Sequence, residues 1–386
     1  MSGGVDSSVA TALLKEQGYD VSGVHIKMWS DPDIPCTFRE DRYDAMRVAA
    51  HLDIPFQTWD FTEEYRAAVV DYMIREYASG RTPNPDVMCN RHVKFGVFLD
   101  RAIQAGADFI ATGHYARVAA SGKRKAESDG MEYGEYRTDG EDGLSANRYT
   151  LSAGTDANKD QSYFLWTLTQ GQLARTIFPI GGYTKPEVRE LARKFNLPTA
   201  EKNESQGICF IGEIDVREFL KKYISTDPGK VLTTAGKVVG EHEGLAFHTI
   251  GQRHGLRIGG RPRGPGEPRP KGAGGIPYYV AEKNFDANEL IVSEGPFDEK
   301  LFRRELVAEN IHWVSDCAPQ FPLKCQARIR YRQPVQECSV SNVEPSDDNL
   351  HPALYVRFVE PQRAVTPGQS IVFYQGDELI GGGIIR

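Results

Sequence analysis

The sequence lacks three features, and each absence excludes a class of protein. No run of about 18 apolar residues occurs in its 386 positions, so we expect no membrane-spanning helix and no membrane partner. Its six cysteines include no Cys-x-x-Cys pair, which argues against a zinc ribbon, and we expect no structural metal. The formal net charge is −7, so any nucleic acid must be bound by local basic patches rather than by overall charge.

Two further absences concern the compartment in which the protein works. The cysteine spacings do not resemble the disulfide framework of a small secreted protein. We expect no signal peptide, because the first motif stands at the start of the sequence. We therefore expect a cytoplasmic protein whose cysteines are reduced, with one or two of them reactive.

The first motif that is present is Ser-Gly-Gly-Val-Asp-Ser-Ser, at Ser2–Ser8. Its two glycines allow a tight turn and a close approach of the backbone to a ligand. A helical pattern follows directly, with Val9, Ala12 and Leu13 on one face. Unpaired N–H groups and the positive end of a helix dipole would therefore meet at one point, which is typical of an anion site. An ordinary helix N-cap remains the alternative, and a Walker loop is excluded because no Gly-Lys-Ser/Thr follows.

Residues 1 to about 115 alternate between strand-like and helix-like segments, which predicts a doubly wound parallel sheet. The predicted strands are 21–26, 56–60 and 108–114, and the predicted helices are 41–52, 63–77 and 95–105. In such sheets ligands bind beyond the carboxyl ends of the strands, where Ser2–Ser8 and Gly113–His114 would lie. A central strand normally precedes a phosphate loop, and we expect it to be missing here because only Met1 stands before Ser2.

The rest of the chain has a different character. Residues 118 to about 150 contain few aliphatic side chains, and we expect an exposed insertion there. After about residue 212, short β-branched runs separated by turn residues predict two small β-barrel-like domains. The runs are 230–234, 237–240, 247–250, 278–281, 290–292, 324–331, 336–343, 353–358 and 370–374. The expected domains are therefore 1–205 (α/β), 206–284 (central β) and 285–386 (C-terminal barrel).

Two cysteines stand in settings that suit chemistry. Cys89 closes the polar run Pro83-Asn84-Pro85-Asp86-Val87-Met88-Cys89, which we expect to be a loop whose backbone is fixed by two prolines. Lys94 and Arg91 lie close in sequence and can lower a thiol pKa or hold phosphates. Cys209 sits in a Gly-flanked apolar segment, where a core role and a chemical role are equally balanced. The other cysteines are predicted to be structural: Cys36, Cys317, Cys325 and Cys338.

Taken together, these residues resemble the tRNA-specific 2-thiouridylase family of the N-type ATP pyrophosphatase superfamily. The Ser2–Ser8 string is similar to the pyrophosphate loop of that superfamily. The further matching motifs are Ala111–Arg117, Asn158–Leu165, Thr249–Arg253, Arg330–Gln333 and Thr366–Gln369. The resemblance covers nearly the whole chain, apart from 118–150 and the missing first strand. It implies an adenylating α/β domain followed by two β domains, and ATP-dependent 2-thiolation of the wobble uridine of tRNA.

The resemblance also implies roles for individual residues. ATP would be bound by Ser2, Gly3, Gly4, Val5, Asp6, Ser7, Ser8, Ile26 and Gly113, with Mg²⁺ as a second cofactor. The tRNA would be contacted by Asn84, Pro85, Asp86, His114, Lys159, Asp160, Gln161, Arg330, Tyr331 and Gln369. Cys89 resembles the nucleophile, Cys209 the carrier of a persulfide, and Asp86 a general acid or base.

The implied reaction adenylates the uridine carbonyl oxygen and then transfers sulfur from the cysteine persulfide. It requires the anticodon loop of a tRNA as one partner and a protein that donates or relays sulfur as another. Two other functions remain open on the sequence. One is an amidotransferase-type ligase of the same superfamily, although no glutaminase signature is present. The other is a non-catalytic RNA-binding protein on an enzyme scaffold, which the missing strand favours.

Overall fold

The computed structural model describes residues 1–31, 33, 37–120, 148–203, 216–256, 258, 276–343 and 352–386. Its α-helices in these ranges are α1 (Val5–Glu16), α2 (Phe38–His51), α3 (Thr62–Tyr65), α4 (Asp71–Ala78), α5 (Pro85–Met88), α6 (Phe98–Gln104), α7 (Gln170–Leu173), α8 (Lys185–Lys194) and α9 (Val216–Lys221). Two π-helical segments cover Arg66–Val70 and Cys89–Val97, and short 3₁₀ turns cover Ser162–Phe164, Leu245–Phe247 and Glu299–Leu301.

The strands begin with β1 (Gly23–Lys27), β2 (Phe56–Asp60), β3 (Ile110–Ala111), β4 (Ala116–Ala120), β5 (Tyr149–Ala153), β6 (Thr176–Ile177), β7 (Gly229–Thr233) and β8 (Val238–His242). They continue with β9 (Tyr278–Asn284), β10 (Glu289–Glu294), β11 (Phe302–Trp313), β12 (Leu323–Arg328), β13 (Gln336–Asn342), β14 (Leu354–Arg363), β15 (Ser370–Gln375) and β16 (Glu378–Ile385). Among the described residues, no helix combines the length and the apolar character that a membrane span needs.

Parallel strand pairs organise the N-terminal part of the chain. β1 pairs with β2 and β3 pairs with β6, and both pairs are parallel. Parallel neighbours need a crossover, which α2 provides between β1 and β2. Helix α1 buries an apolar face, containing Val5, Val9 and Leu13, in a core shared with α8. The predicted strand–helix alternation is therefore observed, although the predicted strand 108–114 is reduced to β3.

Two predicted helices are longer and less regular than the sequence suggested. The predicted helix 63–77 consists of α3, the π-helical segment Arg66–Val70 and α4. The predicted helix 95–105 begins earlier, at α5, and runs through the π-helical segment Cys89–Val97 into α6, with a break at Gly96. Pro85 suits the start of α5 because its ring fixes φ, and the N–H that it lacks would have no helical partner there. Cys89 is thus held inside a helical segment rather than in a loop.

A closed barrel of six strands forms the C-terminal part of the chain. The strand order is β11-β14-β13-β12-β15-β16, and β16 closes the barrel by pairing with β11. Alternate residues point inward and build an apolar core that includes Val340, Val356 and Phe373. The long strand β11 and the Gly-rich strand β16 were not among the predicted strands, because neither reads as a short β-branched run bounded by turn residues.

The predicted insertion at 118–150 is wrong at its edges. Residues Ala116–Ala120 and Tyr149–Ala153 form the antiparallel pair β4–β5, and β5 pairs with β16 of the barrel. The α/β part of the chain therefore adds two strands to the barrel sheet. The physical reason is that Leu151, which is fully buried, packs into the large core that the two parts share. Residues 121–147 lie outside the described residues.

The central part of the chain forms a four-stranded sheet in the order β8-β7-β10-β9. Its small apolar core contains Val231, Leu290 and Val292. The predicted strand at 247–250 is wrong: a 3₁₀ turn, Leu245–Phe247, occupies its start. Thr249 instead lies 3.2 Å from the side-chain oxygen of Thr82, so this segment ties the central sheet to the α/β part.

Candidate active site

The N-terminal loop forms a tight turn in which the backbone is exposed to a ligand. Gly3 has φ +79°, and a Cβ added there would lie 2.2 Å from the carbonyl oxygen of Asp41, so only glycine fits. Ser2 Oγ lies 3.0 Å from Ser7 Oγ and braces the turn. Gly4 is the N-cap of α1 and offers no side chain to its first turn. The start of α1 therefore has the geometry of an anion site.

The carboxylate of Asp6 is held by two side chains from distant parts of the chain. Tyr115 donates its hydroxyl to Asp6 Oδ1 at 2.8 Å, and Lys185 Nζ donates to the same oxygen at 2.6 Å. Thr199 donates to Ser8 Oγ at 3.1 Å behind the loop. Lys185, Tyr115 and Thr199 were all missed as site residues. No local sequence signal could have found Lys185, since 179 positions separate it from Asp6.

The loop forms one wall of a cleft of about 790 Å³, a volume in the range of small-molecule sites. The other walls include Ile26 of β1, Gly113 after β3, and Lys94. A Cβ added to Gly113 would lie 2.8 Å from the backbone nitrogen of Ser7, so glycine is required where the strand end meets the loop. Of the predicted ATP residues, the structure brings Ser2, Asp6, Ser7, Ile26 and Gly113 around one cavity. Gly3, Gly4, Val5 and Ser8 do not line it, and Val5 and Ser8 are buried.

Cys89 lies at the junction of α5 and the following π-helical segment, and its thiol is closed off from solvent. The side chain is 1% exposed and belongs to the large apolar core. Burial raises the pKa of the Cys89 thiol to about 11; Lys94 opposes this shift, and Asp86 adds to it. The thiol is therefore protonated at neutral pH in this structure. Any attack by Cys89 must be preceded by proton removal and by access for the second reactant.

Two buried carbonyl-type oxygens flank Cys89 without a hydrogen-bond partner among the described residues. They are Asp86 Oδ1 and Asn90 Oδ1. Asn84 caps α5 by accepting from Val87 N at 3.4 Å, which fixes the position of Asp86 on the first turn. Asn90 is anchored by its other end, because Nδ2 donates to the carbonyl oxygen of Phe164 at 3.1 Å. Unpaired buried acceptors are costly, which marks this pair as a place where a ligand donor can bind.

The predicted tRNA contacts near residue 160 use their polar atoms within the protein. Asp160 is buried, accepts from the backbone N–H of Ser162 at 3.0 Å, and forms an ion pair with Arg328 at 2.5 Å. Gln161 Oε1 accepts from the backbone N–H of Tyr115 at 3.1 Å and also lines the cleft. Lys159 is half-buried. Their predicted contact with RNA stays a prediction.

His114 lies in the cleft wall rather than on an open surface. Its Nδ1 is 2.7 Å from the hydroxyl of Thr112, and its ring packs against Phe95 and Phe178. Burial, assisted by Lys94, holds the pKa of His114 well below its usual value. The imidazole is therefore neutral, and it can offer a hydrogen bond but no positive charge to a ligand.

The predicted contacts in the barrel divide into two kinds. Arg330 and Gln369 hold backbone carbonyls: Arg330 donates to the carbonyl oxygens of Arg363 and Ala364, and Gln369 Nε2 donates to that of Thr82 at 2.9 Å. Tyr331 instead packs its ring against Phe164 with 4.6 Å between the centroids. Gln369 therefore links the barrel to the segment that leads into Asn84 and Cys89.

Cys209 lies in residues 204–215, outside the described residues, so the structure says nothing about its distance from Cys89. Cys36 also lies outside them. The predicted structural role fits Cys325 and Cys338, which are buried in the barrel core. It is wrong for Cys317, which is exposed because it lies in the turn after β11.

Three family profiles match this chain in succession. They are the tRNA methyl transferase HUP domain at residues 1–213, the tRNA methyl transferase PRC-barrel domain at 217–294 and the aminomethyltransferase β-barrel domain at 303–385. The predicted fold class, an α/β domain of the ATP-pyrophosphatase kind followed by two small β-barrel-like domains, is confirmed. The first profile covers the loop, the cleft and Cys89.

Full-length relatives decide the family. The tRNA-specific 2-thiouridylase MnmA of Streptococcus thermophilus (strain CNRZ 1066) is 45% identical over 387 residues, spanning 100% of this chain and 93% of the relative. The protein of the same name from Pseudomonas fluorescens (strain Pf0-1) is 46% identical over 388 residues with the same coverage. The chain belongs to the tRNA-specific 2-thiouridylase family. The family resemblance inferred from the sequence motifs is thus confirmed.

Proposed function

We propose that this 2-thiouridylase family member uses ATP to replace the oxygen at carbon 2 of the wobble uridine of tRNA with sulfur. The observation that carries the proposal is the cleft that joins the Ser2–Ser8 loop to Lys94 of the helical segment beginning at Cys89. In this proposal the loop binds the phosphates and Cys89 is the nucleophile of the same reaction centre, which is supported by Lys94, because Lys94 lines the cleft and also acts on the Cys89 thiol. An amidotransferase-type ligase would need no cysteine at this position.

The first step makes the uridine oxygen a leaving group. A uridine carbonyl carbon is a poor electrophile, and its oxygen leaves poorly. Attack of that oxygen on the α-phosphorus of ATP forms an adenylated uridine and releases pyrophosphate. The N–H groups at the start of α1, together with the loop hydroxyls, would stabilise the charge that develops on the departing phosphates. Later expulsion of AMP carries the original oxygen away.

Mg²⁺ fits this site as a companion of the triphosphate rather than as a resident of the protein. In the part of the chain that the structure describes, no cluster of three or more His, Cys, Asp or Glu gathers to hold a metal. Mg²⁺ usually keeps several waters and binds through one or two carboxylates plus substrate phosphates. Asp6 is the carboxylate of the cleft that belongs to the loop and would serve, and Lys185 fixes its orientation. The ion would neutralise phosphate charge there.

The second step delivers sulfur from a persulfide on Cys209. In one route the terminal sulfur attacks carbon 2 directly, AMP leaves, and Cys89 then attacks the inner sulfur to release the thiolated uridine and form a Cys89–Cys209 disulfide. In the other, Cys89 attacks the inner sulfur first, and the released sulfide attacks carbon 2. Both routes end with the same disulfide, which a dithiol reductant must reopen before the next cycle.

Asp86 would remove the proton that keeps Cys89 unreactive. Its Oδ1 is buried without a hydrogen-bond partner among the described residues, on the helical turn that ends at Cys89. A carboxylate in this position can accept the thiol proton or a proton of the base. Lys94 then stabilises the thiolate, since its charge already opposes the upward pKa shift of Cys89.

The uridine must leave its stack to reach the cleft, so the anticodon loop must be held on both sides. Asn84, Pro85 and Asp86 would surround the extruded base, and Tyr331 offers an aromatic face at the barrel edge. The proposed tRNA surface has six further members, and several of them would act by holding neighbouring segments in position. They are Lys159, Asp160, Gln161, His114, Arg330 and Gln369. A persulfide-carrying donor or relay protein would load Cys209, and a reducing cytoplasm would keep both thiols available.

The decisive experiment is mass spectrometry of tRNA after incubation with the protein, ATP, Mg²⁺ and a sulfide source. We expect 2-thiouridine at the wobble position, with release of AMP and pyrophosphate. Asp6→Ala should abolish AMP release while leaving tRNA affinity unchanged, because the loop contacts phosphates and not RNA. Asp100→Ala, an exposed aspartate on α6, is the matched control and should behave as wild type.

Two results would overturn the proposal. One is AMP release by the Asp6→Ala protein at the wild-type rate, provided that its melting temperature shows it to be folded. The other is an unmodified tRNA population after complete ATP turnover by the wild-type protein with a persulfide donor. The second result would favour an RNA-binding or ligase activity on the same scaffold.

A further inference from the structure

Two cysteines outside the proposed reaction centre face each other inside the barrel. Cys325 of β12 and Cys338 of β13 are direct partners in the antiparallel register. Their sulfur atoms lie 3.7 Å apart, and each residue is 5% exposed. Neither lies among the residues that line the ATP cleft. They therefore form a dithiol pair that the proposed sulfur transfer does not use.

We propose that Cys325 and Cys338 form a second redox site, an intramolecular disulfide that closes under peroxide. Directly opposed residues in an antiparallel pair have Cα separations of about 4.5 or 5.5 Å, and both values lie within the span of ordinary disulfides. We expect rotation about the Cα–Cβ bonds to bring the sulfurs from 3.7 Å to bonding distance while the two strands keep their register.

The chemistry balances with hydrogen peroxide as the only oxidant. One thiolate attacks a peroxide oxygen, the O–O bond breaks, and a sulfenic acid and water are produced. The second thiol then attacks the sulfenic sulfur, the S–S bond forms, and a second water leaves. Two electrons pass from the thiols to one peroxide molecule. A dithiol reductant reverses the reaction by thiol–disulfide exchange.

The location of the pair limits the rate at which the disulfide forms and determines which part of the barrel the disulfide constrains. Contact with Cys325 and burial both raise the pKa of the Cys338 thiol, so little thiolate is present at neutral pH. We therefore expect the reaction to be slower than oxidation of the exposed Cys317. The bond would close the β12–β13 hairpin, which carries Arg330 and Tyr331 in its connection. Closure should stiffen that connection and stabilise the barrel.

The test uses the full-length protein in its reduced form, treated with hydrogen peroxide and then unfolded in an alkylating reagent. Non-reducing peptide mapping should show a Cys325–Cys338 cross-linked peptide, lighter by two hydrogens than the sum of the reduced peptides. A dithiol should restore both thiols. The melting temperature of the oxidised protein should rise by on the order of 5 °C, as expected for a closed loop of this length.

Variants separate this site from the other thiols. Cys317→Ser should leave the cross-link and the thermal shift intact, whereas Cys338→Ser should abolish both. If the barrel cysteines are both still alkylated after peroxide treatment has been continued long past full oxidation of Cys317, until no further thiol is lost, the inference is wrong. It is equally wrong if either of them is found bonded to any other cysteine. Because the peptide map is made on the wild-type chain, a variant that fails to fold would not obscure the result.

Discussion

At the scale of single residues, Cys89 has an environment that opposes its proposed chemistry. Enzymes usually activate a nucleophilic cysteine by lowering its pKa, and here burial raises that pKa. The neighbouring groups would overcome this opposition, since Asp86 can accept the thiol proton and Lys94 can stabilise the thiolate. The resting protein would thus keep its nucleophile protonated and protected. Activation would be confined to the complex with tRNA.

The pH dependence of Cys89 follows from this environment. Its pKa is raised from 9.0 to about 11, so alkylation of the folded protein by iodoacetamide should accelerate until pH nears 11. The same peptide in urea should level off near pH 9. Between these two pH values the unfolded thiol ionises while the folded one stays protonated, so folding stability falls as pH rises, by about 3 kcal/mol.

A comparison of wild type with Cys89→Ala isolates this contribution from that of the other groups that titrate at high pH. The difference in unfolding free energy between the two proteins should shrink across the same pH window. A labelling profile of the folded protein that levels off near pH 9 would show that Cys89 is not shielded as described.

At the scale of elements, the π-helical segment Cys89–Val97 decides which side chains meet the cleft. In a π-helix the i→i+5 hydrogen bonds stack each residue near the one five places later, and such segments are frequent at functional sites. Lys94 therefore stands near Cys89. In a regular α-helix it would be turned roughly 140° away. The irregular helix allows one lysine to line the cleft and also to act on the Cys89 thiol.

Replacement of Lys94 tests whether the π-helical segment brings its charge close to the Cys89 thiol. Lys94→Gln should move the Cys89 alkylation profile to still higher pH and lower the thiolation rate by about tenfold or more, since a charge near the thiolate is lost. Lys94→Arg keeps the positive charge, so its alkylation profile and its thiolation rate should both lie between those of Lys94→Gln and wild type. Arg91→Gln changes an exposed side chain of the same segment and serves as the control. Equal rates for Lys94→Gln and Arg91→Gln would contradict the assignment.

At the scale of the whole molecule, the barrel positions the active segment from a distance. Gln369 Nε2 donates to the carbonyl oxygens of Thr82 and Pro83, at 2.9 and 3.0 Å. The backbone N–H of Thr82 donates to Pro367 O at 2.8 Å, and Arg81 forms an ion pair with Glu309 of β11. The segment that leads into Asn84 and Cys89 is thus fixed by the C-terminal part of the chain.

Gln369→Leu should loosen that segment without touching the reacting atoms. Two hydrogen bonds to buried carbonyls are lost, which should cost about 1–3 kcal/mol of stability. Peptides covering residues 82–89 should exchange backbone hydrogens faster, and thiolation should slow while the affinity of the protein for ATP stays unchanged. Gln326→Leu removes a side-chain bond to Glu337 on the barrel and is the matched control. If backbone hydrogen exchange at residues 82–89 is the same in the Gln369→Leu protein as in wild type, Gln369 does not position this segment.

Local patterns in the sequence were enough to predict most of the helices and strands and the kind of site that each motif would form. Gly3 and Gly4 before an apolar helical stripe were enough to predict an anion site, because backbone freedom and helix termini are local properties. Regular β-branched runs predicted most barrel strands for the same reason. The strands β11 and β16 were not predicted, because β11 is too long and β16 is too rich in glycine to show that pattern.

The tertiary structure alone decided how those motifs meet. Lys185 and Tyr115 bind Asp6 from distant parts of the chain, and the local spacing of residues does not indicate such contacts. The pairing of β5 with β16, and the hold of Gln369 on Thr82, likewise join segments far apart in sequence. The burial that protonates Cys89 is also a collective property: a polar, proline-fixed run predicted an open loop, and packing in the shared core closed it.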